Sequence, residues 1–196
     1  MTAVACGAGA RVAPRPILQL HGAAPTAQVG RPDFQLFDTS GRRYDFRAQT
    51  RGRVTLLYAG YSHCPDECPT TMATIAVALR SLPRTIADRV TVVFITVDPA
   101  RDTDRELRAW LNGFHPPTPY VGLRGSRSAL DRAQRTLGMR PATREPAPRS
   151  YGSGEYAMTH FDGLLAYDRD DRLVTIYPSG VAATALAADL RALVSS

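Results

Sequence analysis

Val54-Thr55-Leu56-Leu57-Tyr58-Ala59-Gly60-Tyr61-Ser62-His63-Cys64-Pro65-Asp66-Glu67-Cys68 is the stretch on which the fold turns. Its opening residues, 54–58, form a continuous apolar run, the pattern of a strand covered on both faces of a sheet. The run gives way at Ala59-Gly60. Pro65 then suits the first position of a helix, where its missing N–H is not needed. Cys68, Met72, Ile75, Leu79 and Leu82 recur at helical spacing, so one face of that helix is apolar. A buried strand running through a short loop into a helix marks an α/β arrangement, and open α/β sheets gather ligands at the carboxyl ends of their strands.

Reading outward, residues 90–97 form a second buried strand, and Asp98-Pro99-Ala100-Arg101-Asp102 is its exit turn. Thr103 with Glu106 makes a capping box, and Leu107, Trp110, Leu111 and Phe114 supply the apolar stripe behind it. Residues 120–123 read as a short strand. Ser126 caps the next helix and Gly138 ends it, with Leu130 and Leu137 inward. Residues 141–154 read as a Pro- and Gly-rich loop. Residues 163–167 and 173–177 flank the turn Asp168-Arg169-Asp170-Asp171 as an antiparallel hairpin. A last helix carries Leu186, Leu190, Leu193 and Val194 on one side. Upstream, residues 34–37 and 42–46 make an N-terminal β-hairpin around Asp38-Thr39-Ser40-Gly41. This order, hairpin, βαβα, strand with helix, then ββα, predicts a thioredoxin-like α/β fold, a central mixed sheet flanked by helices.

At 196 residues the chain accommodates one domain, and 44% hydrophobic with 21% charged residues excludes a wholly disordered protein. No apolar run approaches the roughly 20 residues of a membrane-spanning helix. The formal charge is +6, and all 24 basic residues are Arg. They are scattered, so the charge does not mark a nucleic-acid stripe. Residues 1–29 are rich in Ala, Gly and Pro without sustained period and read as a flexible leader that does not pack; 30–196 read as the folded domain. Within the leader, Ala3-Val4-Ala5-Cys6-Gly7 reads either as the cleavage box of a bacterial lipoprotein, making the leader an anchor region, or as a tail with an incidental thiol.

Cys64 and Cys68 carry the chemistry. Four residues apart at a helix start, they lie on one face. A helix N-terminus favours negative charge, so Cys64, at the mouth, is the more readily ionised thiol. A thiolate is both the nucleophile of disulfide exchange and a ligand for soft metals, so the pair reads as redox-active or metal-binding. Of the four histidines, His21 falls in the leader and reads as solvated, His63 adjoins the motif and reads as an exposed loop residue or else a peripheral ligand, and His115 reads as structural. His160, in Met158-Thr159-His160-Phe161, precedes the late hairpin on the approach that faces the cysteine loop. It reads either as a third ligand or as a satisfied histidine. Two thiolates and one imidazole would suit copper.

Gly60-Tyr61-Ser62-His63-Cys64-Pro65-Asp66-Glu67-Cys68-Pro69-Thr70-Thr71-Met72 resembles the copper motif of the Sco/SenC family. Val97-Asp98-Pro99-Ala100-Arg101-Asp102-Thr103 is similar to that family's second signature, and Asp33-Phe34-Gln35-Leu36-Phe37-Asp38 with Gly41 to its first strand. His160 stands where the family keeps its third ligand. The resemblance implies a thioredoxin-like copper metallochaperone, binding Cu(I), Cu(II) or both on Cys64, Cys68 and His160, with Asp98 just behind the ligands. It implies delivery of copper to, or maturation of, the copper-bearing subunit of cytochrome c oxidase, with another copper chaperone as a further partner. It also implies a lipid- or signal-anchored tether to the extracytoplasmic face of the bacterial cell membrane, and no nucleic acid. The alternative is a thiol–disulfide oxidoreductase reducing the cysteines of a copper-site partner. A zinc-stabilised module would need a fourth ligand, for which the sequence offers no clear candidate.

Overall fold

The strands fall in chain order as β1 (Gln35–Asp38), β2 (Arg43–Asp45), β3 (Val54–Gly60), β4 (Val90–Thr96), β5 (Val121–Arg124), β6 (Thr143–Pro146), β7 (Tyr156–Thr159), β8 (Gly163–Tyr167) and β9 (Leu173–Pro178). The helices are α1 (Phe46–Thr50), α2 (Glu67–Arg80), α3 (Arg84–Ala87), α4 (Asp104–Asn112), α5 (Arg127–Thr136) and α6 (Ala183–Ser195). The structure is a computed structural model describing residues 18–146 and 156–196.

Seven strands share one sheet in the order β2-β1-β5-β4-β3-β8-β9. β3, β4 and β5 are parallel, with β3 and β4 in register from Val54↔Val90 to Gly60↔Thr96. β1 and β8 join this centre antiparallel, and two hairpins complete the edges. Every residue of β3 is buried, as its unbroken apolar run requires. Cys68, Met72, Ile75 and Leu79 of α2 are buried too, so the helical stripe faces the core. The result is the mixed, helix-flanked, thioredoxin-like sheet that the sequence predicts.

Local chemistry sets the boundaries. The Thr103–Glu106 capping box forms at α4, and Ser126 caps α5 by accepting the Ala129 N–H. The chain leaves α5 through Gly138 at φ +76°, a left-handed value that glycine takes without a Cβ penalty. α2 begins at Glu67 and not at Pro65. The Cys64 N–H closes a turn on the Tyr61 carbonyl at 3.2 Å, and Asp66 is still non-helical. Cys64 therefore stands just ahead of the helix.

Two further readings differ from the structure. Residues 143–146, expected as loop, form β6, which pairs with β7 from Thr143↔Thr159 to Pro146↔Tyr156 in a ribbon separate from the main sheet. All four β6 residues are exposed, so no apolar alternation announces the strand. The rest of that expected loop, 147–154, lies outside the described residues. The leader also packs where it is described. Ala23 and Gly30 bridge to Ile176 and Arg172, and the Leu173 N–H donates to the Val29 carbonyl at 2.8 Å. His21, expected to be solvated, meets Asp189 through its backbone N–H at 2.8 Å and through Nδ1 at 2.7 Å. β9 is an edge strand, and this segment pairs backbone groups that would otherwise be left open. Cys6 and the candidate lipoprotein box lie outside the described residues.

Candidate metal centre

β3 ends at Gly60, and the loop after it delivers Cys64 and then Cys68 on the first turn of α2. β7 ends at Thr159 and delivers His160 from the other side. The Cys64 Sγ, the Cys68 Sγ and one His160 ring nitrogen all lie within 4.8 Å of one another. Cys68 is buried, whereas Cys64 and His160 are half-buried. Both thiols are free. The cleft above them, about 260 Å³, is lined by Tyr61, Pro65, Asp66 and Asp162 among others, and opens to solvent.

Each donor is oriented by its surroundings. His160 Nδ1 is 2.9 Å from the Phe161 carbonyl, which can only accept, so Nδ1 carries the proton. Nε2 then faces the sulfurs, 3.7 Å from Cys68 Sγ, and is the nitrogen that would bind a metal once it sheds its proton. The imidazole ring meets Tyr58 and Tyr61 edge-on, with centroids 6.2 and 5.8 Å away. Tyr58 is buried beneath the pair. Its hydroxyl donates to Asp162 at 2.7 Å and lies 3.9 Å from Cys68 Sγ. Gly60 makes room for that sulfur: a Cβ there would meet Cys68 Sγ at 2.8 Å.

The two thiols differ in acidity. A hydrogen bond from Cys68 holds the Cys64 thiol well below the ordinary thiol range; burial works against this, and His160 with the backbone N–H groups of Cys68 and Asp66 adds to it. The Cys68 N–H itself lies 3.4 Å from Cys64 Sγ, so the sulfur caps α2. Burial pushes the Cys68 thiol up, and the neighbouring Cys64 pushes it further. Burial pulls the His160 imidazole down, but the hydrogen bond to Cys64, the Phe161 carbonyl and the nearby negative charges outweigh it and leave it raised. The site thus presents a thiolate at the mouth, a protonated thiol beneath it and an imidazole across the gap.

Asp98 stands outside this cluster; its carboxylate is taken up by the Tyr156 hydroxyl and by Arg101. His63 is also outside it, exposed, with Nδ1 3.1 Å from the Ser62 hydroxyl. Sequence reasoning passed over Tyr58, Asp162 and Asp102. Asp162, an acid two residues after His160, was the one with a local signal. Tyr58 read simply as part of an apolar strand, and Asp102 as a turn residue.

A thioredoxin-like sheet with two cysteines on a strand-to-helix loop and a histidine across from them defines a class of thiol–imidazole proteins. The SCO1/SenC family pattern matches residues 22–195, and the chain belongs to that family. A putative copper-binding protein from Stutzerimonas stutzeri is 31% identical over 143 residues, covering 72% of this chain and 66% of the relative. The mitochondrial SCO2 homolog of Bos taurus is 38% identical over 111 residues, covering 56% of this chain and 41% of the relative. The match thus spans less than two thirds of either relative. Among solved structures, apo Sco1 from Thermus thermophilus superposes with a TM-score of 0.75 at 31% identity, covering 89% of this chain and 97% of that one. Bradyrhizobium japonicum ScoI, solved with copper bound, gives 0.71 at 33% identity, covering 84% and 99%.

Proposed function

We propose that this protein is a copper metallochaperone that holds copper on Cys64, Cys68 and His160 and delivers it to the copper-bearing subunit of cytochrome c oxidase. The observation that carries this reading is the convergence of two sulfurs and an imidazole nitrogen within 4.8 Å. A trigonal ion about 2.3 Å from each sulfur spaces its donors about 4 Å apart, so the set fits with small adjustment. Two soft sulfurs and one imidazole suit copper in either oxidation state. Among the described residues this cluster has three members, one short of a closed zinc site. The ligands sit at an open mouth, as cargo that must leave again requires. Membership of the SCO1/SenC family supports the oxidase subunit as recipient and another copper chaperone as donor. Asp98 supports the ligands from behind, as developed below. We place the protein on the extracytoplasmic face of the bacterial membrane, tethered through its leader and Cys6. The described helices include none long and apolar enough to cross a membrane.

Copper titration of the reduced chain tests the site. One equivalent per chain is expected, and Cys64→Ser or Cys68→Ser should abolish nearly all of it; single variants that bind like wild type would place the copper elsewhere. Fractionation of cells expressing the full chain and Cys6→Ser tests the tether, since loss of membrane association in the variant is expected.

The split acidity of the two thiols favours a second reading, thiol–disulfide exchange by Cys64 and Cys68 as a redox-active pair. The Cys64 thiolate would attack a partner's disulfide, releasing one partner thiol and forming a mixed disulfide. Cys68, losing its proton, would then displace the second partner thiol and leave a Cys64–Cys68 disulfide, with two electrons passed to the partner. A reduced chain that takes no copper but reduces a dithiol partner would select this reading.

A further inference from the structure

The turn between β4 and α4, residues 97–103, touches both segments that bring in the three donors. Asp102 in this turn is fully buried. Its carboxylate accepts the Ser62 N–H at 3.2 Å, the Ser62 hydroxyl at 2.5 Å and the Thr96 hydroxyl at 2.5 Å. Ser62 lies two residues ahead of Cys64, so Asp102 pins the cysteine loop. On the other side, buried Asp98 accepts the Tyr156 hydroxyl, 2.8 Å from each carboxylate oxygen, and Arg101 Nε at 2.5 Å. Tyr156 opens β7, four residues ahead of His160. The Arg101 guanidinium lies over the Tyr156 ring at 3.5 Å and 5.5 Å from the ring of Tyr61, which itself meets the His160 ring. Thr96 links the Asp102 carboxylate to the backbone at Asp98, donating to Asp102 and accepting the Asp98 N–H at 3.0 Å.

This brace matters because of the topology. The ribbon of β6 and β7 is not hydrogen-bonded into the seven-stranded sheet. His160 lies between this ribbon and β8, three residues short of Gly163, so the ladder of β8 with β3 holds one end of its segment and side-chain contacts of this kind hold the other.

We propose that Asp98 and Asp102 are positioning residues that fix the reach between the cysteine pair and His160, and so decide whether copper is held by three donors or by two. The proposal rests on the copper reading above and adds selectivity between oxidation states. Two sulfurs satisfy Cu(I), whereas Cu(II) requires the nitrogen. Loosening the brace removes His160 from reach and penalises Cu(II) while sparing Cu(I).

The test uses the full reduced chain as wild type, Asp98→Asn, Asp102→Asn, Tyr156→Phe and the Asp98→Asn/Tyr156→Phe double variant. Each is titrated with Cu(II), following the sulfur-to-copper absorption band, and with Cu(I) by competition, alongside a thermal melt of the copper-free protein. Tyr156→Phe deletes one hydroxyl from a half-buried residue and keeps the test open if a carboxylate variant fails to fold. Expected is a loss of about 10-fold in Cu(II) affinity in each single variant, with a shifted band and Cu(I) affinity unchanged. The double variant should be no worse than Asp98→Asn alone, because Tyr156→Phe removes a hydrogen bond made to Asp98. In a His160→Ala background, Tyr156→Phe should have no further effect. Folded Tyr156→Phe and Asp98→Asn with the wild-type Cu(II)-to-Cu(I) affinity ratio overturn the proposal, as does an equal loss of both ions that follows the melt. A wild type that binds neither ion overturns the copper reading and takes this proposal with it.

Discussion

Arg31 is buried with all five guanidinium N–H groups engaged. Nε donates to Asp171 at 2.8 Å, Nη1 to Thr50 and Thr55 at 2.8 and 2.7 Å, and Nη2 to the carbonyls of Arg53 and Asp168 at 3.0 and 2.8 Å. The group also packs against Phe46 and Tyr167. It ties the start of the domain to β3, α1 and the β8–β9 turn, a role invisible among 24 scattered arginines. Arg31→Met strands Asp171 and removes the donors to two carbonyls and two hydroxyls, and should cost about 3–5 kcal/mol in urea unfolding. Arg31→Lys should recover little of this, because an ammonium has three donors and no planar fork. At the metal centre, the lowered Cys64 thiol predicts its reactivity. With the thiolate already formed, iodoacetamide should alkylate Cys64 at a rate nearly independent of pH between 5 and 8, whereas buried, protonated Cys68 stays protected until the chain unfolds. A Cys64 rate rising tenfold per pH unit across that range would contradict the assignment.

Two hairpin turns follow one design. In the β1–β2 turn, Asp38 Oδ1 accepts the Ser40 and Arg42 N–H groups at 2.8 and 3.0 Å, and Arg42 Nε reaches Oδ2 at 3.1 Å. In the β8–β9 turn, Asp168 does the same with Asp170 and Arg172, at 2.9, 2.9 and 3.1 Å. The fourth position is left-handed in both, Gly41 at φ 78° and Asp171 at φ 63°. Asp171 occupies that region with a side chain because its carboxylate is Arg31's partner. Slight burial would raise the Asp38 carboxyl, but the hydrogen bonds from Ser40 and Arg42 overcome it and hold it at about 2, below the ordinary 3.8. A depressed folded value stabilises above the unfolded one and is lost as pH falls through the folded one. Asp38→Asn should therefore cost about 1 kcal/mol at pH 6, allowing for solvent screening, and the gap to wild type should close between pH 4 and 2 in urea melts. Elements with a buried apolar pattern, β3, β4, α2 and the β8–β9 hairpin, were legible in the sequence to within about two residues, the usual uncertainty of element ends. The short helices α1 and α3 and the exposed strand β6 were not, because tertiary position and backbone pairing specify them without an apolar pattern.

For the molecule as a whole, Cys64 and Cys68 could be read from spacing alone, but His160 stands 92 residues beyond Cys68 and needed the order of strands or the family resemblance to place it. Asp102 and Tyr156 became visible only in three dimensions, since their partners lie 40 and 58 residues away. The packing of the described part of the leader, 18–29, is not legible in the sequence, because its pairing to β9 runs through backbone atoms and small residues such as Gly22, where a Cβ would meet Thr175 Oγ1 at 2.3 Å. The separate β6–β7 ribbon has a consequence for kinetics. Two donors ride on the body of the protein and the third on the link between this ribbon and β8, so on the copper reading one bond to the ion would break while two persist. On that reading an acceptor thiolate would occupy the vacated position before either sulfur lets go, and the ion would be exchanged associatively without passing through water. The transfer rate should then climb in proportion to acceptor concentration, far above the spontaneous dissociation rate measured with a chelator too bulky to reach the cleft. A rate that levels off at that dissociation rate would mean that copper travels free.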